Sequence, residues 1–196
     1  MTIREWLDFF KRHGGMKIFH VHHLKLLTSM NDHSLRVALS RLHKGNAVQR
    51  ICRGFYANPF NMPTLEEISG QIYQPSYISL ESALSSYGVL SQIPQVLTWV
   101  TTQLPRTFQT SLGTIEYHQM KGAFFKGFLD KKTYFLAEKE KALADYLYLS
   151  PPKDRNHKLT LLDLSHLNLK KAKQYLREMN MENITGMLVK RVHEPQ

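Results

Sequence analysis

The chain has 196 residues, 42% of them hydrophobic, and a formal net charge of +10. This supplies a packed core for one large domain or two small ones and excludes wholesale disorder. No apolar run reaches the length of a membrane span, and the single cysteine, Cys52, leaves neither an internal disulfide nor a thiolate cluster to build on.

The charge is unevenly spread. Residues 1–60 hold ten Lys/Arg against three Asp/Glu, a net +7. Residues 61–150 come to −1 and residues 151–196 to +4. A basic N-terminal third is what a polyanion-binding domain requires. The segment MTIREWLDFFKRHGG lacks the uninterrupted apolar stretch and small-residue cleavage site of a signal peptide, so a reducing cytoplasm is the expected setting.

In chain order, Ile3 to Arg12 predicts a helix with Trp6, Leu7, Phe9 and Phe10 on its apolar side. Thr2 and Glu5 have capping-box spacing at its start, and Gly14-Gly15 ends it. Phe19 to Leu27 predicts a second helix. After a turn at Ser29-Met30-Asn31, a third helix runs to Lys44, capped by Asn31 or Asp32. Gly45 stands where a left-handed stop residue is wanted.

This third helix has two faces. Leu35, Ala38, Leu39 and Leu42 form the apolar one; His33, Arg36, Val37, Ser40, Arg41 and Lys44 follow the three-and-four spacing of the other. A short basic hairpin follows, with Arg50 and Arg53 around a turn at Arg53-Gly54. Strict alternation would put Val48 and Ile51 on opposite faces, so a bulge or an early turn must intervene. Helix, glycine and basic hairpin in this order predict a winged helix-turn-helix over residues 1–60. Arg36, Ser40 and Arg41 would face the groove, while Lys44, Arg50 and Arg53 would grip phosphates and His33 lies on the same face. The competing reading is a solvated basic helix.

Asn58 to Pro63, with two prolines, reads as a domain boundary. Thr64 starts a short helix with Glu66 and Glu67 in its first turn. Ser79 to Tyr87 reads as a helix stopping at Gly88, and Val96 to Thr102 as a strand. Thr107–Thr110 and Thr114–His118 read as a hairpin around Leu112-Gly113. Thr133–Leu136 is a strand candidate. Glu138 to Leu149 is a helix with Ala142, Leu143, Tyr146 and Leu149 on one side, terminated by Pro151-Pro152. Short helices fill Leu159 to Val192, including Leu169–Met179. The fold class is therefore α+β, with a 61–196 domain built on a small mixed or antiparallel sheet and C-terminal helices.

Other clusters carry weaker chemistry. His20, His22 and His23 have no acid or thiol nearby to complete a metal shell, and they read as core or surface histidines. Cys52 reads as a small filler. Asp130-Lys131-Lys132 has the local acid-x-lysine spacing of a PD-(D/E)xK nuclease, with Glu116 the one acid shortly before it. An enzyme reading would make Glu138, Glu140 and Asp145 metal-binding carboxylates; helix-start electrostatics and ion pairing to neighbouring elements explain Glu140, Lys141 and Asp145 better. Lys170, Lys171, Lys173 and Arg177 form a basic stretch that is either a second contact surface or the solvated side of an amphipathic helix. No cofactor or metal is expected.

YISLESALSSYGVLSQIPQVLTWVTT (Tyr77–Thr102) and YFLAEKEKALADYLYL (Tyr134–Leu149) resemble the AbiEi family, antitoxins of type IV toxin-antitoxin systems. The motif residues are Ser79, Ser82, Ala83, Leu84, Tyr87 and Gly88, then Glu140, Lys141, Ala142, Leu143 and Asp145. GTIEYHQMK (Gly113–Lys121) is similar to the family's Gly-x-x-x-Tyr-His strand, and Arg53-Gly54-Phe55-Tyr56 to the end of its winged helix. The resemblance reaches to about Leu149. It implies a non-enzymatic regulator; a monomer or weak dimer is expected, with the oligomeric state left open by the sequence. Its N-terminal domain would repress its own promoter at inverted repeats in double-stranded DNA. Its C-terminal domain would counter a cognate nucleotidyltransferase-like toxin in phage defence or plasmid maintenance. A winged-helix transcription factor with a ligand- or partner-sensing second domain, and no toxin, is the alternative.

Overall fold

A computed structural model describes residues 1–193, with the side chains of residues 1–189. The chain divides into two compact units, one of Met1–Ile68 with Phe108–Gly113, the other of Ser69–Thr107 with Thr114 onward. No helix among the described residues is long and apolar enough to cross a membrane.

The first unit opens on α1 (Ile3–Arg12). Both bonds of the Thr2–Glu5 capping box form: Thr2 N–H donates to Glu5 at 2.7 Å, and Glu5 N–H to Thr2 Oγ1 at 3.3 Å. Then come β1 (Ile18–His20), α2 (Val21–Thr28), α3 (Asp32–Lys44), β2 (Arg50–Cys52) and β3 (Phe55–Ala57). Strand β1 corrects the expected helix start at Phe19. Its three residues pair with β3 through Ile18↔Ala57, Phe19↔Tyr56 and His20↔Phe55, so the sheet order is β1-β3-β2.

Asn31 caps α3 by accepting from Ser34 N–H at 2.9 Å. The left-handed residue after α3 is Asn46, at φ 55°, not Gly45, which sits at φ −84°. Asparagine tolerates that conformation, so the stop falls one residue later than expected. The core joins α1, β1, α2, α3 and the hairpin through Trp6, Phe9, Phe10, Phe19, Leu24, Leu35, Leu39, Leu42, Val48 and Tyr56. Ala38 is only half-buried against it. The expected irregularity falls between Arg50, which pairs with Tyr56, and Cys52, which pairs with Phe55. The extra residue, Ile51, is what lets Val48 and Ile51 both bury.

Helix α4 (Leu65–Ile72) runs across the chain boundary between the units, which falls after Ile68. The second unit holds β4 (Ser76–Ile78), α5 (Leu80–Ser86), β5 (Leu97–Thr101), β6 (Arg106–Thr110), β7 (Gly113–Gln119), β8 (Phe128–Asp130), β9 (Phe135–Ala137), α6 (Lys139–Leu149), α7 (Arg155–Thr160), α8 (Leu169–Glu178) and α9 (Glu182–His193); the β6–β7 tip belongs to the first unit. The sheet has six strands in the order β6-β7-β5-β4-β9-β8, larger than the small sheet expected. It is mixed: β5 pairs with β7 and β4 with β9 in parallel, while β4–β5 and β8–β9 are antiparallel. The class is therefore α+β.

Helix α6 is buried on nearly every side, not on one apolar stripe. Lys141 and Asp145, one turn apart, form an ion pair in the interior. Asp145 also accepts from Tyr77 Oη at 3.0 Å and Ser79 Oγ at 2.8 Å, so its carboxylate has three donors. Burial nevertheless pushes its pKa above the ordinary carboxylate range, against the pull of Lys141, Ser79 and Tyr77. Glu140 accepts from Asn168 N–H at 2.9 Å, which ties the start of α8 to α6.

Candidate nucleic-acid interface

Leu35, Leu39 and Leu42 are fully or almost fully buried, which fixes the rotation of α3 about its axis. The opposite face is thereby held outward. His33, Arg36, Ser40, Arg41, Lys44, Arg50 and Arg53 are all exposed.

They do not converge on one point. Arg36 and Ser40 look toward the hairpin and line a cleft of about 670 Å³ with Arg50 and Arg53. His33, Val37 and Arg41 lie on the other side of α3, in a second cleft beside Thr2, Ile3 and Trp6. Lys44 lines neither. The single basic face read from helical spacing is thus a ridge with two flanks.

The hairpin-side cleft also holds residues that sequence reasoning did not assign to it: His20, His22 and Lys25 from α2 and its cap, and His43 from α3. His43 was within reach of the helical pattern, since it stands three residues after Ser40 and seven after Arg36. His22 and Lys25 had no such signal, because they approach from another helix. Among the described residues Asp32 is the one carboxylate lining this cleft, and Lys25 Nζ holds it at 2.9 Å. That bond, with the nearby cations, lowers the Asp32 pKa. The cleft is otherwise cationic or neutral.

Its shape is fixed by the hairpin turn. Gly54 has φ +86°, which disfavours any side chain there, and a Cβ would come within 3.3 Å of His20 Nε2. The Gly54 carbonyl accepts from Val21 N–H, the first residue of α2, at 2.9 Å. The turn carrying Arg53 is thereby tied to the start of α2. The His20 ring packs tilted against Phe55, with ring centres 4.7 Å apart, and accepts from His22 N–H through Nδ1 at 3.3 Å. Burial, then the neighbouring His23 and His22, lower its pKa, which favours the neutral ring that this cap bond requires. Arg50 Nε donates to Cys52 O at 3.3 Å within the hairpin.

The remaining candidates lie elsewhere. His20 and His23 ring centres are 6.1 Å apart. On α8, Lys171 is held by Glu138 at 2.8 Å, so the open basic side is formed by Lys170, Lys173 and Arg177 alone. Asp130 ends β8, and its carboxylate accepts from Lys132 N–H at 2.6 Å in an exposed turn. Compared with protein-family models and with curated proteins, the chain matches none.

Proposed function

We propose that this chain is a DNA-binding transcriptional regulator whose first unit is a winged helix, with α3 as the recognition helix and β2–β3 as the wing. The observation that carries this reading is the hairpin-side cleft, where Arg36 and Ser40 on the helix face Arg50 and Arg53 on the hairpin. Arginine bonds guanine or phosphate in two-pronged fashion, and serine serves several bases or phosphate. The net +7 on residues 1–60 supports the same reading, because polyanion affinity grows with the phosphates neutralised.

Within that class we propose an antitoxin of the AbiEi type, acting as repressor of its own promoter and countering a cognate nucleotidyltransferase-like toxin, with no catalytic role for this chain. Support comes from the motif residues themselves. Ser79 and Asp145 open and close the two quoted motifs, and they share a buried hydrogen bond across 66 positions of sequence. A sensing role for the second unit is the competing reading. It draws on a cleft of about 620 Å³ lined by Phe125, Phe128, Tyr134 and Phe135.

Two assays test the proposal. Footprinting on DNA upstream of the chain's own gene is expected to protect an inverted repeat. Co-expression with the neighbouring gene is expected to rescue growth if that gene encodes a toxin. Absence of any protected site refutes the regulator. Protection without rescue leaves the regulator and refutes the antitoxin.

A further inference from the structure

The cleft beside α3 combines fixed cations with imidazoles, two chemistries that respond differently to pH. Arg36, Arg50 and Arg53 are charged at every accessible pH, whereas imidazole changes charge between about pH 5 and 8. His22 and His43 are exposed and line the same cleft. The groups facing them are His20, Lys25, Asp32, Arg36, Arg50, Arg53 and Tyr56, with His23 ring-to-ring with His22 at 6.5 Å.

His43 stands between a donor and an acceptor. Its Nδ1 lies 3.4 Å from Arg50 N and 3.4 Å from Val48 O. The neutral ring accepts from the Arg50 N–H; the protonated ring donates to the Val48 carbonyl instead. Either charge state therefore leaves Nδ1 bonded, and Nε2 is left to carry a proton outward. His22 is exposed in the first turn of α2, with its side chain clear of the core.

We propose that His22 and His43 bind phosphodiester groups of duplex DNA as imidazolium ions, so that the protein takes up protons when it binds and holds DNA more tightly in acid than at neutral pH. This rests on the DNA-binding reading above. A phosphate entering the cleft offsets the repulsion between imidazolium and the three arginines, so proton uptake and phosphate binding favour one another. The gain in affinity therefore grows as pH falls and is lost as pH rises. Each proton taken up changes the binding constant by up to about tenfold per pH unit, and each added cation steepens the salt dependence by about 0.9.

The test is a binding titration of the upstream duplex at pH 5.5, 6.5 and 7.5 and at several salt concentrations, with the wild-type protein and H22Q/H43Q. Both positions are surface sites, and circular dichroism checks that the variant keeps its fold. The wild type is expected to bind at least about tenfold more tightly at pH 5.5 than at 7.5, with a salt slope steeper by about two. The variant is expected to bind no more tightly at pH 5.5 than at 7.5 and to show one salt slope at every pH, whatever its affinity at pH 7.5. Binding that ignores pH, or a variant that keeps the full pH and salt response, overturns this inference and leaves the DNA-binding reading standing. No binding at any pH overturns both.

Discussion

Asn58 is completely buried, and its carboxamide serves four backbone groups. Its Nδ2 donates to Phe10 O at 3.2 Å, His13 O at 3.1 Å and Met16 O at 2.8 Å, and its Oδ1 accepts from Phe60 N–H at 3.0 Å. The first two carbonyls belong to the end of α1, where backbone oxygens are left over by the helix. One side chain from the end of the hairpin thus closes a helix more than forty residues earlier. Asn58→Ala orphans these groups and is expected to cost about 2–4 kcal/mol in chemical denaturation. Asn58→Asp is expected to cost more at neutral pH, since a carboxylate faces carbonyls at the negative end of the helix. An alanine variant as stable as wild type would refute this account of the joint. In sequence Asn58 reads only as a loop residue before Pro59.

At the scale of elements, Glu138 couples α8 to the start of α6. It accepts from Tyr175 Oη at 2.6 Å and pairs with Lys171 at 2.8 Å. The Lys171 bond, then the Tyr175 bond, hold its carboxyl below the usual carboxylate range. A group depressed in this way stabilises the fold above its unfolded pKa, near 4.3, and stops doing so as pH falls through its folded one. The pair is partly solvated, so Glu138→Gln is expected to lower stability by only about 1 kcal/mol at pH 7. The difference from wild type should narrow when urea midpoints are compared at pH 3. A gap of equal size at both values contradicts the charge-based explanation.

Local signals made some elements legible and left others hidden. The Thr2–Glu5 box and the α3 cap involve residues three apart, so spacing alone marks the box and narrows the cap to Asn31 or Asp32, of which the structure uses Asn31. The irregularity near Ile51 followed from alternation. Strands β1 and β4 have three residues each, and their reason for being extended is a partner far along the chain, as in Ile18↔Ala57 and Ile78↔Trp99. The partners of Asp145 in α6 are not legible in sequence, because Tyr77 and Ser79, which donate to it, lie more than sixty positions away. The same limit applied at the candidate interface: Arg36, Ser40, Arg50 and Arg53 were visible as a pattern, whereas His22 and Lys25 enter the cleft only through the packing of α2.

At the scale of the whole molecule, positive charge gathers on residues 1–60 while residues 61–150 are close to neutral. A polyanion would therefore meet the first unit. Its affinity should fall linearly in log–log form with salt, by about 0.9 per phosphate neutralised. Five exposed cations, Arg36, Arg41, Lys44, Arg50 and Arg53, give an expected slope of about −4 to −5. The most direct measurement is a salt titration of binding to the chain's own upstream duplex and to a scrambled duplex. Arg53→Ala is expected to weaken both duplexes alike and to flatten the slope by about one, whereas Arg36→Ala and Arg41→Ala should cost about 1–3 kcal/mol on the upstream duplex and less on the scrambled one. A wild-type protein that does not bind, or three variants that bind as it does, would contradict the assignment of this surface to DNA.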